Sequence, residues 1–239
     1  MTLLEVCVDD ATGLAAAITG GADRVELCSA LELGGLTPSA GLIAQAARSP
    51  VPIRAMVRPR PGDFVFDADL VETMRGEIAV IRQAGLAGVV LGASLPDGRL
   101  DMTTLRMLVD AAGDLPRTLH RAFDLVPDLP EAVGQAIELG FDTILTSGRA
   151  ANALAGINDI IAAHELAAGR IAIMAGAGLN AGNVRTILDR VMLPAVHGSC
   201  SDPAPAASSP ALRLGFDSPE RKATTSSKVA ALKAALNRT

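Results

Sequence analysis

Two short segments each place a carboxylate and a thiol two residues apart: LEVCV at residues 4–8 and RVELC at 24–28. Side chains alternate along a strand, so Glu5 shares a face with Cys7 and Glu26 with Cys28, while Leu4, Val6, Val25 and Leu27 take the other face. Neighbouring strands lie about 4.8 Å apart, close enough for two such thiols to share a ligand. Free cysteine also serves as a small apolar filler. Filler does not account for the carboxylates, because a buried, ionised Glu costs several kcal/mol unless it is paired or shifts its pKa.

Other groups with chemistry recur where strands end. RTLHRAFD, residues 117–124, carries His120, Arg121 and Asp124; Arg24 and Arg58 flank the second and third strands; LTSG supplies Thr146 and Ser147. IMAGAGLNAGNV, residues 173–184, is a glycine-rich loop whose amides at Gly176 and Gly178 are candidates for holding phosphate or carboxylate. His197, in AVHGSC, falls on the last strand and lines the same mouth, and His164 falls on a helix as a surface or packing residue. As an enzyme's residues these have distinct roles. Glu5 or Glu26 and His120 exchange protons, and Asp124 orients His120 or Arg121. Arg24, Arg58, Arg121, Ser147, Gly176 and Gly178 hold a small anion. The structural alternative is an internal salt-bridge network that only supports the core.

Composition narrows the chemistry. The only lysines are Lys222, Lys228 and Lys233, near the C-terminus, which argues against Schiff-base and pyridoxal phosphate chemistry. Cys7, Cys28 and Cys200 have neither CxxC spacing nor an even count, so free thiols are expected rather than disulfides or a zinc ribbon. The net charge of −5 and the absence of Trp, Tyr and basic runs argue against nucleic acid as a partner. No apolar run reaches the roughly 18 residues of a membrane span, and acidic residues interrupt the N-terminal segment, so a cytoplasmic chain is expected. A metal ion or a small anionic molecule is the expected partner, and an apolar face on a surface helix would serve a homodimer.

The elements that must position these groups follow from alternation. Apolar runs near 3–8, 23–28, 52–58, 87–93, 117–122, 142–147, 170–175 and 195–199 read as eight strands separated by Ala-rich helical stretches. Asp101 and Pro130 mark helix starts, and Gly85, Gly113, Gly140 and Gly169 follow helix ends. GADRVELCS, GLAGVVLGA and GFDTILTSG align with one another, which puts Cys28, Gly92 and Ser147 at one level, joined by Cys7. These features predict an α/β fold, a single-domain TIM (β/α)8 barrel over residues 1–239 with its site at the carboxyl ends of the strands. An irregular Pro- and Ser-rich connection at 202–227 and a terminal helix at 228–237 complete the expectation.

In order along the chain, LEVCVDD, GGADRVELCSALELGGLTPS, MVRPRPGDFVF, LHRAFDLV, LTSG and GAGLNAGNV together resemble the CutC family, over about residues 3–199. The resemblance implies a TIM barrel, a cytosolic location and a role in copper homeostasis, with Cys7 and Cys28 as the Cu(I) ligands; soft thiolates select that ion, and Cys200 or His197 is a candidate for a third ligand. Ala177 interrupts the family's run of glycines, and the chain after residue 200 departs from its pattern. The Glu, Arg and His groups are not soft ligands, so a barrel enzyme acting on a small carboxylated or phosphorylated substrate stands as the alternative.

Overall fold

The computed structural model describes residues 2–204 and 208–237. Eight parallel strands close into a barrel in sequence order: β1 (Leu3–Val8), β2 (Arg24–Leu27), β3 (Ile53–Met56), β4 (Gly88–Leu91), β5 (Arg117–Leu119), β6 (Thr143–Thr146), β7 (Ala172–Ala175) and β8 (Ala195–Gly198). Between them lie α1 (Ala11–Thr19), α2 (Ala40–Ala46), α3 (Ala68–Gln83), α4 (Met102–Ala112), α5 (Leu129–Glu138), α6 (Ile157–Ala167) and α7 (Val184–Leu188). The architecture is the TIM barrel that alternation predicts. Among the described residues no helix is long and apolar enough to cross a membrane.

Local chemistry sets the helix boundaries. Asp10, Ser39, Asp67, Asp101 and Asp128 each accept a backbone N–H of the first turn they precede. In α3 the buried residues are Val71, Met74, Ile78 and Ile81, the spacing of one helix face laid on the sheet. The strands' outward residues, including Leu4, Val6, Val25 and Leu27, join these helix faces in one continuous apolar layer. Burying each such side chain contributes about 1.5–3 kcal/mol.

Inward residues form a second, chemically mixed core. Because the strands tilt, side chains at one height come from alternate strands. Following the pairings around the barrel gives a layer of Glu5, Arg54, Thr118 and Met174, then one of Glu26, Val90, Leu145 and His197. Nearer the carboxyl ends comes Cys7, Met56, His120 and Gly176. Arg54 donates to Thr118 Oγ1 at 2.7 Å, Thr143 Oγ1 at 3.3 Å and Asp142 Oδ1 at 2.7 Å, which ties β3 to β5 and β6 across the lumen.

Two regions differ from expectation. Strand β5 ends at Leu119, before the expected residue 122, because His120 caps a 3-10 helix over Arg121–Leu125 that carries the chain off the sheet. The stretch 202–227, expected as irregular, carries regular structure where it is described: β9 (Ser201–Pro203) pairs antiparallel with β10 (Lys222–Thr224), and α8 (Ser209–Arg213) lies between them. Three-residue strands are too short for alternation to show. The terminal helix α9 (Ser226–Leu236) begins two residues before the expected 228, and Val229 and Leu232 are buried. Thr224 Oγ1 donates to the Ser199 carbonyl at 3.0 Å, fixing β10 beside the end of β8.

Candidate metal centre

The sequence expectation brings Glu5, Cys7, Glu26 and Cys28 into one lumen, and their strands do place them there. Pairing between β1 and β2 sets Glu5 beside Arg24 and Cys7 beside Glu26; pairing between β1 and β8 sets Glu5 beside His197. Cys28 therefore stands beyond Glu26 toward the barrel mouth rather than level with Cys7, and its amide bonds to the Val8 carbonyl at 2.8 Å.

Glu5 is fully buried between Arg24 and His197. Its Oε2 accepts from Arg24 Nε, and its Oε1 lies 2.9 Å from His197 Nδ1. Burial works against the charge, but the bond to His197 and the Arg24 charge outweigh it and hold the Glu5 carboxyl down at about 2. His197 Nε2 faces the other way, 3.7 Å from Glu26 Oε2. Burial opposes protonation of the ring, yet the surrounding Cys7, Glu26 and Glu5 keep its pKa well above the ordinary histidine value.

One sulfur, one imidazole nitrogen and one carboxylate oxygen, from Cys7, His197 and Glu26, lie within 4.8 Å of one another. Among the described residues this is the only His, Cys, Asp and Glu group close enough to hold a metal ion. His197 has the arrangement usual for a metal ligand: its far nitrogen is fixed on a carboxylate, so the near one points at the site. Cys28 Sγ instead donates to Glu26 Oε2 at 3.6 Å, and burial together with the Glu26 charge pushes its pKa well above the usual thiol value. Burial raises the Cys200 thiol to about 11. Burial likewise raises the Glu26 carboxyl, and its Oε1 has no hydrogen-bond partner among the described residues.

The remaining candidates separate into two groups. Asp124 accepts from Thr146 Oγ1 at 2.5 Å, Ser147 Oγ at 2.9 Å, the Ser147 and Arg149 amides at 3.1 and 3.2 Å, and Arg121 Nε at 2.7 Å. Arg121 Nη2 also donates to Ser147 Oγ at 2.8 Å. This saturated knot clamps the β5 end to the β6 end, and Asp124 orients Arg121 rather than His120. Of the two glycine amides, Gly176 donates to the Thr146 carbonyl at 3.0 Å and so serves the barrel ladder. The Gly178 carbonyl accepts from Asn183 Nδ2 at 2.9 Å. Arg58 and His120 form the second group, both packed against Phe64: the guanidinium carbon lies 4.9 Å and the imidazole centre 4.8 Å from its ring centre.

Arg54 is a lumen residue that the sequence reading passes over, although in PIRAMVR its parity with Met56 and Arg58 carries the signal. His197 enters there as a residue of the last strand at the barrel mouth and, beside Cys200, as a third copper ligand to the two thiols; its closeness to Cys7 and Glu26 depends on barrel closure, which no local pattern encodes.

Known proteins match this chain along its length. The family model described as CutC family matches residues 2–202. A CutC family protein of Rhizobium meliloti (strain 1021) is 52% identical over 234 residues, covering 98% of this chain and 96% of the relative. One from Caulobacter vibrioides (strain NA1000 / CB15N) is 52% identical over 230 residues, covering 95% and 94%. The crystal structure of the Streptococcus agalactiae CutC protein, to which copper homeostasis is assigned provisionally, superposes with TM-score 0.80 at 32% identity and covers 83% of this chain and 99% of that one. A phosphoribosylanthranilate isomerase of Thermotoga maritima, at 14% identity and TM-score 0.59 over 98% of each chain, shares the fold alone. The sequence match and the barrel agree: this chain belongs to the CutC family.

Proposed function

We propose that this CutC-family chain handles copper as cargo in the cytosol, taking up Cu(I) at Cys7 and His197 with Glu26 beside them. The observation that carries the reading is the approach of Cys7 Sγ, a His197 ring nitrogen and a Glu26 oxygen to within 4.8 Å of one another, with Nδ1 held by Glu5 and Nε2 3.7 Å from Glu26 Oε2. Thiolate and imidazole are donors that copper favours, and a reducing compartment keeps the thiol available. The provisional copper role of the Streptococcus agalactiae relative points the same way. The Cys7–Cys28 pair implied by sequence resemblance makes a different demand, since Cys28 must first leave Glu26. An anaerobic Cu(I) titration against a competing chelator tests the proposal. One tight equivalent lost in Cys7→Ser and in His197→Gln, and kept in Cys28→Ser, supports it; binding indifferent to Cys7 and His197 overturns it.

A second reading, acid–base chemistry on a small anion, draws on the unpaired Glu26 Oε1. Glu26 is the group for it, because its pKa is raised while Glu5 is held at about 2 and His120 at about 3. Loss of function in Glu26→Gln with retention in the Cys7→Ser, Cys28→Ser double variant favours this reading over copper handling.

A further inference from the structure

Two buried donors near the barrel mouth have nothing to donate to. The Arg58 side chain gives Nη1 to the Leu33 and Gly35 carbonyls at 2.9 and 3.1 Å and Nη2 to the Gly62 carbonyl at 2.8 Å. All of these acceptors are neutral. Among the described residues no carboxylate lies within ion-pair distance of this guanidinium; Arg58 is 5% exposed, and its Nε has no partner. A buried cation without a counter-charge is costly, and protein sites rarely keep one unless a ligand supplies the charge.

His120 supplies the second donor, and its tautomer is set by the backbone. The Ala122 amide donates to Nδ1 at 3.1 Å, so Nδ1 carries a lone pair and the proton of the neutral ring sits on Nε2. Burial and the Arg58 charge hold the pKa of this ring at about 3, so the neutral form prevails near pH 7. Nε2 is buried without a partner. Because Nδ1 already accepts from the Ala122 amide, the Nε2 proton cannot move there to free a lone pair for a metal, so His120 does not complete the Cys7 site; it asks for an acceptor.

Local packing holds both groups still. A side chain at position 92 would meet the His120 ring at 2.5 Å, so Gly92 is what lets the ring lie across the end of β4. Phe64 packs against both His120 and Arg58. The two donors are thus fixed on one aromatic side chain, on the β3 and β5 sides of the mouth, one charged and one neutral.

We propose that Arg58 Nε and His120 Nε2 form a binding site for a small oxyanion, a carboxylate or a phosphate group, at the carboxyl mouth of the barrel. The guanidinium supplies the counter-charge and the imidazole a second, directional hydrogen bond. The site is one of binding and stands whether or not Cys7 holds copper.

The test is calorimetric titration of the full-length protein with inorganic phosphate and, separately, acetate at constant ionic strength, in wild type, His120→Phe and Arg58→Lys. His120→Phe keeps a ring on Gly92 and Phe64 and removes the Nε2 donor, together with the Nδ1 acceptor of the Ala122 amide. Saturable one-to-one binding of either anion, weakened at least ten-fold in both variants, supports the site; the preferred anion tells phosphate from carboxylate recognition. Absence of saturable binding of both anions to wild type, or equal affinity in His120→Phe, overturns it. Should a variant not fold, the His120 Nε2–H proton resonance of wild type decides: it shifts on titration if the site exists and stays in place if it does not. Cu(I) uptake by His120→Phe equals that of wild type, which separates this site from the metal centre.

Discussion

His197 Nδ1, on β8, lies 2.9 Å from Glu5 Oε1, on β1, and this contact across the seam of the barrel fixes which ring nitrogen faces Cys7 and Glu26. Glu5 is itself held by Arg24 on β2, so three neighbouring strands determine one imidazole's orientation. The same contacts that close the barrel therefore orient the nitrogen proposed as a copper ligand.

Glu5→Gln keeps the shape and removes the charge. Arg24 is then left without its counter-ion, and the single amide oxygen accepts from only one of Arg24 and His197. The expected loss is about 3–5 kcal/mol of folding stability, as for breaking a buried pair, read from urea unfolding at unchanged m-value. Copper affinity falls about 10–100-fold, the usual effect of removing a carboxylate behind a metal-bound histidine. Wild-type stability and affinity in this variant contradict the arrangement.

His120 makes stability depend on pH on the acid side. Its folded pKa is depressed to about 3 from an ordinary value of 6.5, so the unfolded chain takes up a proton that the folded ring refuses. This contribution is fully present above pH 6.5 and is lost as pH falls through that value toward 3, with a slope of at most about 1.4 kcal/mol per pH unit. Denaturation curves for wild type and His120→Phe should diverge on that slope between pH 6.5 and 3. Parallel curves mean that the ring titrates freely.

Ala177, which interrupts the glycine-rich loop after β7, has φ of +71°. That left-handed conformation costs a residue bearing a Cβ about 1–2 kcal/mol, and glycine adopts it freely. Ala177→Gly is expected to raise folding stability by about 1 kcal/mol, because the relief of strain exceeds the added freedom of the unfolded chain. A drop in the thermal midpoint contradicts this account of the loop.

What the sequence discloses and what it withholds follow from the range of the interactions. Alternation is local, so it shows the eight strands and that Glu5, Cys7, Glu26 and Cys28 turn inward. The register between parallel strands is set by tilt and closure of the whole barrel. Alignment of the strand ends thus puts Cys7 level with Cys28, whereas pairing puts it beside Glu26. Closure likewise brings His197 to Glu5 across 192 positions of chain. His120 reads from sequence as an acid–base residue, but the Ala122 amide that fixes its tautomer becomes visible only once the chain turns into the 3-10 helix.

X-ray absorption at the copper edge of the Cu(I)-loaded protein reads the ligands of the bound ion themselves. One sulfur and at least one imidazole nitrogen in the first shell, with the spectrum unchanged in Cys28→Ser, is the predicted result. Two sulfurs without nitrogen, with one of them lost in Cys28→Ser, would contradict the Cys7–His197 centre and give the site to the two thiols.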